Sequence, residues 1–118
     1  MARSKARLFE DDEQLASQLC HGMAHPARVR ILSRLVNGQE IDYTSLLSGM
    51  PLDQKSCMQH INILRRLNFL EPALLHTKRG GYRLNMDLYQ SCTAATRRLL
   101  RVEGRVRVLG REVEDEAV

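Results

Sequence analysis

Apolar positions recur at steps of three and four along most of the chain, and polar or glycine/proline breaks divide them into separate helices. The clearest run lies between residues 52 and 67. Cys57, Ile61, Leu64 and Leu67 make one apolar stripe there, and Asp53 stands where an N-cap carboxylate can accept from the free amides of the first turn. The opposite face carries Gln54, Lys55, Ser56, Gln59, Asn62 and Arg66. A helix with an apolar back and a front of amides, a hydroxyl and cations suits the major groove of duplex DNA, where base edges offer donors and acceptors. An ordinary solvated helix face is the alternative if the stripe is taken alone.

The rest of the pattern supplies the neighbours. Residues 1–10 read as a flexible basic arm. Asp11 or Asp12 is placed to cap a first helix with Leu15, Leu19 and Met23 inward and Ala16 and Cys20 alongside, its early acids meeting the positive end of the helix dipole. His25-Pro26 breaks it, because a residue before proline leaves the α region while proline fits the first turn of a following helix. That second helix, 26–36, is expected to turn Val29, Leu32, Leu35 and Val36 inward, with Arg28, Arg30 and Arg34 around its other sides. Asn37-Gly38 stops it.

A short helix over 44–48 and the turn Gly49-Met50-Pro51 lead into the run described first, which makes a helix-turn-helix. Asn68 ends that run. Residues 69–78 read as an extended segment that Pro72 confines to a sheet edge, Arg79-Gly80-Gly81 as a turn, and Tyr82-Arg83-Leu84 as the return strand. A hairpin with basic residues near its tip, directly after a helix-turn-helix, is a wing. Asp87 is a candidate cap for a last helix with Leu88, Cys92, Ala95 or Thr96, and Leu99 on one stripe. Residues 102–118 read as a C-terminal extension of the helix or a disordered tail.

Composition sharpens this picture without changing it. At 118 residues, with 43% hydrophobic residues and no tryptophan, the chain makes one small domain with an aliphatic core. The net charge of +4 is modest, but its placement is uneven. Between residues 54 and 85, Lys55, Arg65, Arg66, Lys78, Arg79 and Arg83 face Glu71 alone. Such a surface favours phosphate. No stretch approaches the roughly 18 apolar residues of a membrane span, and the N-terminus lacks a signal-peptide core. Three widely spaced cysteines do not form a disulfide framework, so the cytoplasm is the expected compartment.

Several segments, in order, resemble winged-helix repressors of the ArsR type. Residues 22–32, GMAHPARVRIL, are similar to that family's ALAHPTRLRIL; residues 51–61, PLDQKSCMQHI, to its GLSQSTVSRHL; residues 64–70, LRRLNFL, to its LREAGLV; and residues 81–85, GYRLN, to the closing YYRLN of its wing. The resemblance covers roughly residues 12–101. It implies an α+β, mostly helical winged helix-turn-helix with a two-stranded wing and terminal dimerisation helices. It further implies a homodimer on an operator of two-fold symmetry, repressing until a small signal releases it. Carried over by position, Gln54, Lys55, Ser56, Gln59 and His60 would meet DNA, with Asn62 and Arg66 on the same helix, and Lys78 and Arg79 would serve the wing. Pro51 and Met58-Gln59 depart from the family's glycine and Ser-Arg pair, so its base preference does not transfer.

Other chemistry is weaker. His21 and His25 have the i, i+4 spacing of helical zinc ligands, but Gly22 stands where a general base would be needed and no third ligand follows, so the reading is not an enzyme. The family's metal motifs are absent: 42–46 reads DYTSL, and 88–101 holds neither histidine nor acid. No cofactor and no metal are expected. Cys20 and Cys92, on the helices the family pairs, form a candidate thiol switch, and plain packing is the alternative for both; Cys57 falls on the apolar stripe. From another class, the rival to a DNA-binding regulator is a winged-helix protein–protein interaction module without DNA binding. Salt-dependent retention on duplex DNA separates the two.

Overall fold

The computed structural model describes residues 5–74, 80–101, 105–108 and 111–114. After a single 3-10 turn at Lys5–Leu8 come α1 (Asp11–Gly22) and α2 (Pro26–Leu35), then β1 (Ile41–Asp42) and the four-residue α3 (Tyr43–Leu46). Helix α4 (Gln54–Arg66) leads to β2 (Leu70–Ala73) and β3 (Gly81–Leu84). The last helix, α5 (Met86–Leu100), is followed by β4 (Arg105–Val108) and β5 (Arg111–Glu114).

Helix α4 forms as its sequence dictates. The Asp53 carboxylate accepts from the Ser56 amide at 2.7 Å, and Cys57, Ile61 and Leu64 are buried. Asn68 ends it with φ of +67°, the left-handed conformation that asparagine tolerates. At its C-terminus the Leu67 carbonyl accepts from Gln18 Nε2 of α1 at 2.7 Å, so one orphan carbonyl of α4 is satisfied by the helix that crosses it.

The caps and burial of the other helices differ from the sequence reading in detail. Glu10, not Asp11 or Asp12, precedes α1, and the Glu13 carboxylate accepts from its amide at 3.0 Å. Asn85, not Asp87, caps α5 through the Leu88 amide at 3.2 Å. It also accommodates the chain crossing beneath: its amide donates to the Phe69 carbonyl at 2.8 Å, and its Nδ2 to that of Asn68 at 3.2 Å. α2 is rotated from its expected face. Ala27, Arg28, Ile31, Leu32 and Leu35 are buried, while Val29 and Val36 are exposed. Ile31 and Leu35 fill the centre with Leu46, Ile61, Leu64 and Phe69, and that demand outweighs the local choice of valines.

The wing hairpin gains a third strand. β3 pairs antiparallel with β1 on one side and β2 on the other, in the order β1-β3-β2, which leaves Pro72 of β2 on an edge as expected. A two-residue strand carries too little pattern to be read from sequence. Opposite Glu71 in the ladder, Arg83 lies 3.5 Å from Glu40 and 3.7 Å from Glu71, exposed pairs worth at most about 1 kcal/mol each. Gly80 turns with φ of +62°.

α1 and α5 lie together. Arg98 grips Asp12 with two bonds of 2.8 and 3.0 Å, while Gln18 and Leu88 share a groove further along, so the two helices run antiparallel. Cys92 and Ala95 of the α5 stripe are fully buried. The C-terminal extension contains a separate antiparallel hairpin, β4 with β5, joining Arg105 to Glu114 and Arg107 to Glu112 in register.

Candidate nucleic-acid interface

The turn before α4 is anchored from α2. Arg34 Nη1 donates to the Leu46 carbonyl at 2.7 Å, closing the end of α3, and Arg30 Nη1 donates to the Gly49 carbonyl at 3.3 Å. Asp42 caps α3 by accepting from the Ser45 amide at 3.2 Å. These bonds fix how α4 stands on the core.

On that scaffold Gln54, Lys55, Gln59, Asn62 and Arg66 are exposed together along one side of α4, and Ser56 is half-buried at its first turn. The side chains of Gln54, Lys55 and Gln59 make no hydrogen bond or ion pair among the described residues, and Arg66 bonds only weakly, Nε to the Asn62 carbonyl at 3.4 Å. The helix itself carries no carboxylate. At its N-cap, hydrogen bonds from Ser56 hold the Asp53 carboxyl below the ordinary carboxylate value of 3.8, so the cap stays anionic.

His60 stands apart from that row. It is half-buried and turned to His25 and Arg28 rather than along the outer face. Burial first, and then the nearby His25 and Arg28, push its proton affinity below the ordinary histidine value of 6.5. Lys78 and Arg79, the expected wing contacts, lie outside the described residues.

Two arginines have roles that sequence reasoning missed. Arg65 holds its guanidinium 5.9 Å above the Tyr82 ring, linking α4 to the wing strand, and lines a shallow basic concavity with Asn62 and Arg66. Its place in the last turn of the helix was the available signal. Arg28 is buried, which the pattern of α2 did not reveal.

The fold is a winged helix-turn-helix. The chain is similar to the crystal structure of the transcriptional repressor BigR from Xylella fastidiosa, with a TM-score of 0.58 and 19% sequence identity over 86% of this chain and 98% of that one. No family model matches the sequence. No curated protein matches it either. At that identity the likeness concerns the fold, so the chemistry must be argued from this chain's own residues.

Among the described residues, no cluster of three or more His, Cys, Asp and Glu could hold a metal ion. No described helix is long and apolar enough to cross a membrane. Cys20 is exposed on α1, whereas Cys57 and Cys92 are buried, and burial raises both of their thiol pKa values above the ordinary one.

Proposed function

We propose that the protein is a sequence-specific DNA-binding transcriptional regulator, a repressor that works as a homodimer on duplex sites of two-fold symmetry. The observation that carries this reading is the outer row of α4: Gln54, Lys55, Gln59, Asn62 and Arg66, exposed, carboxylate-free and largely unengaged on a helix with a buried back. Amides read base edges in the major groove, and lysine and arginine neutralise phosphates. Ser56 and, through the wing, Lys78 and Arg79 complete the proposed contact set.

The dimer has its own support. Because α1 and α5 run antiparallel, the exposed Leu8 and Phe9 before α1 share one end of the pair with the exposed Leu99 and Leu100. Four large apolar side chains at one end suit a second copy of the chain, and a dimer would hold two reading helices about one helical turn of DNA apart.

Release by a small signal belongs to the same proposal, with Cys20 and Cys92 as the thiol pair. Cys20 is the thiol a reagent reaches first; Cys92 joins only if α5 shifts, since burial holds it protonated.

The test is duplex binding by wild type and by a Lys55→Ala/Gln59→Ala variant across salt concentrations. Each lost phosphate contact lowers the slope of log affinity against log salt by ~0.9, so Lys55 on both protomers accounts for a drop of about 2. An unchanged slope and affinity at an unchanged melting temperature refute the interface. Absence of duplex binding by the wild type leaves the protein–protein interaction module instead.

A further inference from the structure

Behind the reading face of α4 lies a cluster of basic and titratable groups. His60 of α4 stacks on His25, with ring centroids 4.2 Å apart and planes inclined by 31°. Arg28 of α2 is only 7% exposed. Its Nη1 lies 3.2 Å from His60 Nδ1, its Nη2 donates to the His21 carbonyl at the end of α1 at 3.1 Å, and its Nε is buried with no partner. None of the ion pairs among the described residues involves Arg28.

The geometry fixes the protonation of both rings. A guanidinium has donors and no acceptor, so His60 Nδ1 accepts and carries no proton. His25 Nδ1 accepts from the Ala27 amide at 3.0 Å, the N-cap bond of α2, and is likewise bare. A second proton on the His60 imidazole would occupy the nitrogen that accepts from Arg28. On His60 it would also set a cation against the buried Arg28. The charged and titratable groups acting on His60 are His25, from the turn before α2, and Arg28, from α2; the His21 carbonyl of α1 accepts from Arg28, and among the described residues no carboxylate acts on the ring.

We propose that His25, Arg28 and His60 are positioning residues that latch the recognition helix onto α2, and that acid opens the latch and weakens duplex binding. The inference rests on the DNA-binding reading above. Burial, His25 and Arg28 disfavour the charged form of His60 in the folded protein. Above the ordinary histidine value of 6.5 folded and unfolded chains both hold a neutral ring, and the latch is intact. As pH falls below 6.5 the unfolded chain takes the proton more readily than the folded one. The latch therefore loses stability until the pH passes the lower, folded-state value. The sign is diagnostic. Protonating a histidine that merely faces DNA adds positive charge and strengthens binding on acidification; the latch predicts the reverse.

The experiment pairs two measurements. Anisotropy titrations use a fluorescein-labelled duplex selected from a random-sequence pool, at pH 7.5 and 5.5 and constant ionic strength, with wild type and His60→Asn. The asparagine Oδ1 replaces Nδ1 as acceptor for Arg28 and does not titrate. The wild type should lose about tenfold in affinity on acidification, and the variant less than about threefold. In the free wild-type protein, NMR should show the His60 ring titrating below 6.5 with the α4 amide resonances moving at the same midpoint. Affinity that holds or rises on acidification, an equal loss in the variant, or a ring titrating at or above 6.5 with α4 unmoved overturns the latch. If no duplex binds at any pH, the DNA reading fails, and the NMR titration alone decides the latch, as it does if the variant does not fold.

Discussion

Replacing Gly22 by alanine should destabilise the protein, although alanine is the better helix former. Gly22 is the last residue of α1, where that helix crosses the segment leaving α4. A β-carbon there would lie 2.9 Å from Phe69 Cε2, 3.1 Å from Phe69 Cδ2 and 3.6 Å from Leu64 Cδ2. Phe69 is fully buried, so its ring cannot swing into solvent and must push on the core instead. Overpacking of this kind costs ~1–3 kcal/mol. The better helix propensity returns at most ~1 kcal/mol in a helix interior and less at a helix end. The net is a loss of about 1–2 kcal/mol, and in a domain of this size each kcal/mol lowers Tm by ~4–8 °C. Urea and thermal unfolding followed by circular dichroism, at one fixed protein concentration, measure it. Phe69→Leu supplies the control, since the shorter side chain vacates the space. On that background the alanine should cost little, with a coupling of about 1–2 kcal/mol. A Gly22→Ala protein as stable as wild type, or losses that simply add in the double variant, would refute the claim that α1 rests on Phe69 through this glycine.

Three further outcomes follow from the same structure. Leu99 is 46% exposed, so Leu99→Glu should leave the monomer folded but abolish the proposed dimer and its duplex affinity; sedimentation showing a wild-type monomer, or an intact dimer in the variant, counts against it. A maleimide at neutral pH should label Cys20 promptly and reach Cys57 and Cys92 only on unfolding, read by mass spectrometry of peptides; rapid native labelling of Cys92 would mean that α1 and α5 part readily. The Arg98 guanidinium holds the Asp12 carboxyl below its ordinary 3.8, so the stability from this pair is present above that pH and is lost as the pH falls through the lower folded-state value. Asp12→Asn should remove that part of the acid dependence, and identical acid-unfolding curves for the two proteins would show that the pair is idle.

Helix α4 was legible in the sequence because everything that makes it is local. Asp53 caps it, Cys57, Ile61 and Leu64 repeat at its period, and Asn68 stops it. The wing was legible for similar reasons, from Pro72 at an edge and glycines at a turn. Packing decided what local pattern could not. Which face of α2 turns inward depended on the space left by Phe69, Leu46 and Leu64, so Val29 and Val36 face out and Arg28 faces in. The sequence shows a stripe on α5 but not what covers it, and α1 covers Cys92 and Ala95 through the antiparallel pairing that the Asp12–Arg98 clamp marks. A two-residue strand at Ile41–Asp42 exists only because β3 offers an edge. His60 and His25, thirty-five positions apart in the chain, meet because His25 caps the start of α2 and α2 lies against α4. Periodicity and capping are properties of neighbouring residues, whereas burial, charge pairing and proton affinity belong to whatever the fold brings alongside.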